Sequence, residues 1–325
     1  MNHHYVEDWV DWLTNVRQLR AATIGAYEET MNAFVLWLVT ADMVNDALST
    51  TWETVTPEQI EQFMGRHRRG GVGKPATQDR DRVCINEFYK WLNQRKLVDV
   101  SPSLLVRSPK VDNRAPKAID DQVWAQLWNS ALPDDDRVWL GLACFAGLRR
   151  HEIAWLHPSQ VDSRRGMLMQ LKRKGGKEEA VEYEQMAQIL GDHLPHVLPD
   201  PDRWVHLIAM AAHERRAEHV LITMDTPAKP STFERLSTDD PLLPNPSVLN
   251  KRLQVLLRAA GLPPGMFAPH ALRHTCVTNL LRCGVSIEVV ADIVGHTNID
   301  TTRRYVKSAG RLKEWRTRLA PKDMY

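Results

Sequence analysis

The sequence predicts a mainly helical protein with one small antiparallel β-sheet, and three observations lead to that fold class. Apolar residues recur at helical spacing through the first 100 residues and through most of the chain after residue 117. Two segments with strand character flank a Gly-Gly pair between residues 166 and 183. Residues 101–117 are basic, hold three prolines and show little periodicity, as a linker does. We therefore expect a helical domain at 1–100 and a second domain at 118–325.

The length and composition are those of a folded protein without a membrane span. A chain of 325 residues is long enough for two globular domains. No segment approaches the roughly 20 apolar residues of a membrane helix, and the first residues lack the basic and apolar regions of a secretory signal. The four cysteines form no CxxC pair, which favours reduced core cysteines over a zinc site. We expect a cytoplasmic protein with no metal site.

Four helices are expected in the first domain, because apolar residues fall at helical spacing in four separate runs. These runs start at Val6, Ile24, Ile60 and Val83. Thr56-Pro57 is a suitable beginning for the third helix, since proline is favoured in the first turn. A Gly-rich basic loop at 66–75 precedes the fourth helix.

Charge is unevenly distributed along this domain, although the whole chain carries a net charge of only +2. Residues 1–65 hold two basic and ten acidic residues, whereas residues 66–117 hold thirteen basic and five acidic ones. A basic segment beside an acidic one indicates an oriented surface that meets a polyanion. An ordinary solvated helix face explains the pattern equally well.

The second domain combines helices with a β-hairpin. Its expected elements, in order, are helices at 123–132 and 138–145, strands at 166–172 and 178–183, and further helices after residue 186. The Gly-Gly pair within 173–177 marks the hairpin turn. Residues 225–246 are rich in Pro, Ser, Thr and Asp and lack periodicity. Ser247 can then begin a helix that Gly261 ends.

The first candidate site group is the segment 146–152. Gly147 allows a close backbone approach at a helix junction. Arg149 follows in a turn, and Glu152, three residues further on, can orient its guanidinium. An ordinary surface Arg–Glu pair is the alternative.

The second group lies at the tip of the hairpin, where Lys174 and Lys177 flank the two glycines. A lysine at this position can reach into a DNA groove. Its flexible stem and adjustable pKa also suit the delivery of a proton to a leaving alkoxide. An ordinary basic hairpin tip is the alternative.

The third group is the segment 270–274. On a helix, His270, Arg273 and His274 share one face, which brings two imidazoles and a guanidinium together. That combination suits a single phosphate group. A helix face with a solvated arginine is the alternative.

The fourth group ends at Tyr305. Ser286 is expected to begin a short helix and Gly295 to end it, which leaves His296 just beyond the helix end. Asp300 or Thr301 is expected to cap the next helix, which carries Tyr305. A lone tyrosine is usually a core residue, so this group depends on the other three.

Together these groups resemble the motifs of the tyrosine recombinase family, which includes phage integrases and Xer-like and Cre-like recombinases. The matching segments, in the family's order, are GLRRHE at 147–152, KGGK at 174–177, HALRH at 270–274, VGH at 294–296 and Tyr305. The resemblance covers the whole chain. It implies an N-terminal four-helix core-binding domain of the SAM-like type and a C-terminal catalytic domain, which close around duplex DNA as a C-shaped clamp.

The resemblance implies that the protein cuts and rejoins DNA at specific sites. Arg149 and Arg273 would hold the non-bridging oxygens of the scissile phosphate, and His296 would donate a hydrogen bond to it. Tyr305 would attack the phosphorus, giving a 3′-phosphotyrosyl link and a free 5′-hydroxyl. Glu152 would steady Arg149. Strands would then be exchanged through a Holliday junction.

Proton transfer falls to other residues of the same motifs. Lys174 would protonate the leaving 5′-oxygen, and Lys177 is the alternative. His270 would assist proton transfer at Tyr305, and His274 would support the site. The phosphotyrosine conserves the bond energy, and the sequence has no P-loop, so we expect no cofactor.

The sequence departs from the family pattern in two places. Glu178-Glu179 stands where many relatives have a basic residue, which leaves the assignment of the acid between Lys174 and Lys177. The stretch 197–245 is longer than in compact relatives. It would hold either an extra helix and loop that contact DNA or a partner, or inert padding.

The expected partner is double-stranded DNA with inverted-repeat core sites, in a bacterial cell or a phage-infected host. The expected DNA-binding residues are Arg66, Arg68, Arg69, Lys74, Arg80, Arg107, Lys110 and Lys177. A homodimer would occupy each site, and a homotetramer would form the synapse. The tail at 310–325 would dock on a neighbouring protomer or pack on its own domain. Accessory DNA-bending proteins are further expected partners.

Three other functions remain open at this point. A topoisomerase or telomere resolvase would share the tyrosine chemistry and would relax plasmids that lack a cognate site. A DNA-binding protein of the same fold would bind without forming a covalent adduct. An all-helical protein-interaction module would require the motif order to be accidental.

Overall fold

The computed structural model describes residues 4–44, 51–65, 74–110, 117–130, 132–173, 178–214 and 246–306. Described residues up to 110 form one compact unit, and those from 117 onward form another. Both units are mainly helical, and the second contains a small antiparallel sheet, so the predicted fold class is confirmed. Within these ranges, no helix is long and apolar enough to cross a membrane.

The first unit has the four predicted helices. They are α1 (His4–Asn15), α2 (Ala21–Val44), α3 (Pro57–Gly65) and α4 (Pro75–Gln94). Trp9 lies at their centre, stacked on Tyr27 and edge-on to Phe88, and so joins α1, α2 and α4. A short 3-10 helix, Pro102–Leu105, follows.

Helix α3 begins at Pro57, as the Thr56-Pro57 pair predicts, and a capping box stabilises its first turn. The Thr56 hydroxyl accepts a hydrogen bond from the Gln59 amide at 3.3 Å, and the Gln59 side chain accepts one from the Thr56 amide at 2.9 Å. The basic loop that follows α3, with Arg66, Arg68 and Arg69, lies outside the described residues.

The second unit contains the remaining elements. In the described residues they are, in chain order, α5 (Asp121–Asn129), α6 (Asp134–Cys144), α7 (Arg150–Ala154), a 3-10 helix (Pro158–Gln160), β1 (Val161–Asp162), β2 (Met167–Lys172), β3 (Glu178–Glu182), α8 (Tyr183–His193), α9 (Pro201–Glu214), α10 (Val248–Ala259), α11 (Pro269–Arg282), α12 (Ile287–Ile293) and α13 (Ile299–Val306). Helix α9 supplies part of the long stretch at 197–245, whose residues 215–245 lie outside the described ranges, as does the tail after residue 306.

The sheet has the order β1-β2-β3, with antiparallel neighbours. Strands β2 and β3 form the predicted hairpin, in which Leu168 lies opposite Val181. The register shifts after Leu168, where Gln170 adopts a φ of 52°, as in a β-bulge. Strand β1 was not predicted, because two residues are too short to show a period. The turn at 174–177 lies outside the described residues.

Helices α6 and α11 form the interior that supports the candidate site. Buried Cys276 of α11 donates a hydrogen bond to the Phe145 carbonyl at the end of α6, at 3.4 Å. Asp136 of α6 is buried and accepts hydrogen bonds from Nε and Nη2 of Arg252, and this ion pair links α6 to α10. One candidate site segment, 146–152, follows α6 and another, 270–274, lies on α11, so this packing fixes their separation.

One predicted helix start is confirmed and another is wrong. The Ser286 hydroxyl caps α12 by accepting from the Val289 amide at 3.3 Å. Helix α13 begins at Ile299, and the Asn298 side chain accepts from the Asp300 amide at 2.8 Å. Asn298 therefore caps this helix in place of Asp300 or Thr301, since asparagine is an equally good capping residue and stands earlier in the chain.

Candidate active site

Arg149 precedes α7 and is held by contacts at both ends of its guanidinium. Its Nη1 donates to Glu152 at 2.8 Å, and its Nη2 donates to the Gly295 carbonyl at 2.7 Å. Glu152 also accepts from the Arg149 amide at 2.7 Å, so one carboxylate fixes both the main chain and the side chain. The pairing that the sequence spacing predicted is confirmed.

Arg273 lies on α11 with only 2% of its surface exposed. Its Nη1 donates to the Gly147 carbonyl, and its Nη2 donates to the Val294 carbonyl. Gly147 has a φ of 65°, and a Cβ there would lie 2.9 Å from Val294 Cγ1 and 3.1 Å from Cys276 Sγ. The close backbone approach predicted at Gly147 is therefore confirmed, and it brings the Gly147 carbonyl to Arg273.

Tyr305 lies on α13 with 3% of its surface exposed. Its hydroxyl is hydrogen-bonded to Nδ1 of His274. The His270 ring lies edge-on to His274, at 4.4 Å between ring centroids. The resemblance paired His270 with Tyr305, but the imidazole that contacts the phenol is that of His274, one helical turn further along α11.

His296 lies on the turn after α12, as predicted. Its amide donates to the Ala291 carbonyl at 2.8 Å, and its Nδ1 lies 2.7 Å from the Thr302 hydroxyl. The ring is stacked on Tyr305, at 6.4 Å between centroids and 22° between planes. The Thr302 contact occupies Nδ1, so Nε2 is the nitrogen that can face a ligand.

Burial sets the charge state of the basic groups in this cluster. Burial and the nearby Arg149 lower the pKa of Arg273 to about 9, which leaves it charged at neutral pH. Burial and the adjacent His270 lower the pKa of His274 to about 3. Burial and Arg273 lower the pKa of His296 to about 4. The site therefore presents charged guanidinium groups and neutral imidazoles.

The phenol is held in its protonated form. Burial raises the pKa of Tyr305 to about 12, although Arg273 and Arg304 oppose that shift. The Tyr305 hydroxyl is the donor in its hydrogen bond when neutral His274 carries its hydrogen on Nε2, and Nδ1 is then the acceptor. In that tautomer the bond gives the phenolic proton a route to an imidazole nitrogen, and the nearby guanidinium of Arg273 favours the phenolate that would attack an electrophile.

A third arginine, Arg173, reaches the same region and was missed by sequence reasoning. It follows β2, and its Nη2 donates to the Ile293 carbonyl at 2.9 Å. Burial would raise the pKa of Glu152, but Arg173 and Arg149 outweigh it and lower that pKa. The signal that could have indicated Arg173 is the acidic Glu179 on the facing strand, which forms an ion pair with it.

The remaining predicted residues lie elsewhere or outside the described ranges. Lys174 and Lys177 belong to the turn at 174–177, which is not described. Four further predicted DNA-binding residues lie on the first unit: Lys74, Arg80, Arg107 and Lys110. The structure thus brings together Arg149, Glu152, His270, Arg273, His274, His296 and Tyr305.

Acidification is expected to destabilise the second unit through its neutral histidines. In the unfolded chain a histidine has a pKa near 6.5, whereas burial lowers the pKa of His296 to about 4. Between these values the unfolded state binds more protons, so the free energy of unfolding falls as the pH falls from about 6.5 towards 4. Thermal unfolding from pH 7.5 to 5 measures this loss, and His296→Asn should make it shallower. An unchanged slope in that variant would contradict the assignment.

Comparison with known proteins identifies the family. The family model described as "Phage integrase family" matches residues 121–311, and that described as "Phage integrase, N-terminal SAM-like domain" matches residues 6–96. The chain is 25% identical over 314 residues to tyrosine recombinase XerD of Proteus mirabilis, covering 95% of this chain and 90% of that protein. It is 26% identical over 317 residues to tyrosine recombinase XerC of Xanthomonas axonopodis pv. citri (strain 306), covering 92% and 90%.

Solved structures share the fold. A lambda integrase dimer bound to a COC' core site matches with a TM-score of 0.60 at 15% identity, covering 95% of this chain and 96% of that chain. The XerH site-specific recombinase bound to palindromic difH substrate, a post-cleavage complex, matches with a TM-score of 0.58 at 15% identity, covering 89% and 79%. The family models cover both units of the described fold, and this chain belongs to the phage integrase family of tyrosine recombinases.

Proposed function

We propose that the protein is a site-specific DNA recombinase that cleaves and rejoins DNA strands through a 3′-phosphotyrosyl intermediate on Tyr305. The observation that carries the proposal is the convergence of motifs more than 100 residues apart in the chain. The Tyr305 hydroxyl meets His274, while Arg149 and Arg273 donate to neighbouring carbonyls, of Gly295 and Val294. A nucleophile, a base and two cations in one cluster are what transfer of a phosphodiester requires.

Arg149 and Arg273 would hold the two non-bridging oxygens of the scissile phosphate. Toward the described residues, each guanidinium donates from two of its five N–H groups, and its other N–H groups would hold the ligand. The protein contacts fix both groups in advance, so little reorganisation accompanies the development of charge in the transition state. His296 would add a hydrogen bond to the same phosphate through Nε2.

The proton of Tyr305 would pass to His274, with His270 assisting from the ring edge behind it. As the Tyr305 oxygen bonds to phosphorus, the bond from phosphorus to the 5′-oxygen breaks, and Lys174 protonates that oxygen, with Lys177 as the alternative. The number of phosphoester bonds is unchanged, so rejoining needs no external energy source. This step is an ester exchange, and attack by the 5′-hydroxyl of another strand would complete recombination through a Holliday junction.

The protein would bind DNA through a basic surface and would act as an oligomer. The basic residues from 66 to 117 would contact phosphates and give binding a steep dependence on salt. A lambda integrase solved as a dimer on a core site and XerH on a palindromic substrate support inverted-repeat sites with one homodimer each. A homotetramer would form the synapse. Accessory DNA-bending proteins would assist it, and the reaction would take place in the cytoplasm.

A covalent trap tests the proposal and identifies the target sequence in the same experiment. The protein is incubated with a library of random-sequence duplexes that carry a nick close to possible cleavage positions, so that a cut strand loses its short end and cannot be rejoined. We expect adducts that survive SDS and release DNA after proteolysis, with one sequence enriched among them. Binding that enriches a sequence but leaves no adduct would reduce the protein to a DNA-binding member of its fold.

A further inference from the structure

Three consecutive carbonyl oxygens at the C-terminal end of α12 each accept a hydrogen bond from a different arginine. The pairs, in chain order, are Ile293 with Arg173 (2.9 Å), Val294 with Arg273, and Gly295 with Arg149 (2.7 Å). We call residues 293–295 the carbonyl turn. The orientation of two proposed phosphate ligands therefore depends on the position of one short piece of backbone.

Arg173 differs from the other two arginines in its surroundings. Its side chain is 1% exposed and forms an ion pair with Glu179 of β3, at 3.3 Å from Nε to the carboxylate. It also lies directly against Gly295, where a Cβ would come within 2.7 Å of its Cδ and 2.8 Å of its Nη1. Arg173 thus fills the space between the β-hairpin and the carbonyl turn.

The contacts of Arg173 are poor ones for stability. Among the described residues, neither its Nε nor its Nη1 has an acceptor in hydrogen-bond geometry, although both are buried and Nε lies 3.3 Å from the Glu179 carboxylate. A buried guanidinium loses hydration, and a buried ion pair as a whole can often be replaced by apolar side chains at no cost, whereas removing one partner alone is destabilising. Two donor atoms without an acceptor are better explained by what the third nitrogen of this guanidinium holds in place, which is the Ile293 carbonyl.

We propose that Arg173 is a positioning residue for DNA cleavage, which fixes the carbonyl turn against the hairpin and thereby orients Arg273 and Arg149. The inference rests on the recombinase function proposed above. A second route leads to the same guanidinium, because the charge of Arg173 helps to keep Glu152 ionised and Glu152 holds Arg149. In both routes Arg173 acts through Arg149 and Arg273, which would bind the phosphate. Arg173 would not contact the phosphate itself.

Arg173→Met separates positioning from folding. Methionine fills much of the same volume without a charge or a donor. We expect Arg173→Met to stay folded at the assay temperature, although the loss of the charge that faces buried Glu152 should lower its melting temperature. DNA affinity should stay within about twofold, and the single-turnover rate of adduct formation at saturating DNA should fall by about 10–100-fold, as expected when reacting groups shift by a fraction of an ångström to an ångström. Arg173→Lys keeps a cation that can reach the Ile293 carbonyl and should restore part of the rate.

Two further variants sharpen the test. Arg165→Met removes an exposed arginine that precedes β2 and pairs loosely with Asp162 at 3.8 Å, and it should cleave as the wild type does. Glu179→Gln removes the ion-pair partner of Arg173 while keeping its shape. If the pair acts as one unit, Arg173→Met with Glu179→Gln should cleave no more slowly than Arg173→Met alone.

Two outcomes would overturn the inference. One is wild-type adduct formation by Arg173→Met at saturating DNA. The other is a loss of rate in Arg173→Met that disappears at a temperature where the variant is fully folded, because that would make Arg173 a folding residue. Failure of the wild type to form any adduct would instead refute the proposed function, so the two results are distinguishable in one experiment.

Discussion

Tyr305→Phe is expected to eliminate covalent DNA adducts while DNA binding stays close to that of the wild type. Phenylalanine keeps the ring that packs against His296 and lacks only the oxygen that would bond to phosphorus. Loss of a nucleophile that acts together with its base costs catalysis on the order of 10⁴-fold or more. Trapping on the nicked substrate, followed by SDS gels, measures the adduct, and a mobility shift measures binding.

His274→Asn is the companion variant for Tyr305→Phe. It leaves the nucleophile in place but removes the imidazole that is hydrogen-bonded to the phenol and is the proposed acceptor of its proton. We expect slower cleavage whose rate rises with pH more steeply than that of the wild type, because hydroxide must then take the proton. Adduct formation by Tyr305→Phe at the wild-type rate would end the assignment of Tyr305.

Arg273→Ala is expected to lower the cleavage rate by roughly 10³-fold, because charge develops on the phosphate next to a site that has lost half of its guanidinium clamp. The substitution also leaves the carbonyls of Gly147 and Val294 without their donor. Single-turnover kinetics on the trapping substrate, at DNA concentrations that saturate each variant, give the change in rate separately from the change in affinity.

Arg273→Lys guards against a folding defect in the alanine variant. Lysine keeps the charge but cannot serve two carbonyls and a phosphate with a planar fork, so the rate should still fall by at least about tenfold. Arg282→Ala is the matched control, because Arg282 lies at the other end of α11 and pairs with Asp121 on the surface. Cleavage by both Arg273 variants at the rate of Arg282→Ala would remove Arg273 from the site.

Much of this fold was accessible from the sequence because its signals are local. Apolar spacing predicted the helices of the first unit, and the Gly-Gly pair predicted the β2–β3 hairpin. Glu152 lies three residues from Arg149, so their contact follows from helix geometry alone. The order of the motifs then indicated the family, which the match over residues 121–311 confirmed.

The parts that escaped prediction depend on contacts between distant segments. His270 and His274 share one face of α11, and only the packing of α13 decides that His274 meets Tyr305. In the sequence, Arg173 resembles any other basic residue of a hairpin. Its partner, the Ile293 carbonyl at the end of α12, lies 120 residues further along the chain. Asn298 replaced the expected cap of α13 because several good capping residues stand close together.

The carbonyl turn has a consequence for how this protein can vary. Ile293 and Val294 serve the arginines with main-chain oxygens, so an exchange of one aliphatic side chain for another leaves the acceptors where they were. Inserting or deleting a single residue there would shift the carbonyl oxygens by one position. Each guanidinium would then face a different oxygen, even with every motif residue retained. Tolerance to substitution combined with intolerance to changes in length is therefore the signature to seek at 293–295 in a deep mutational scan.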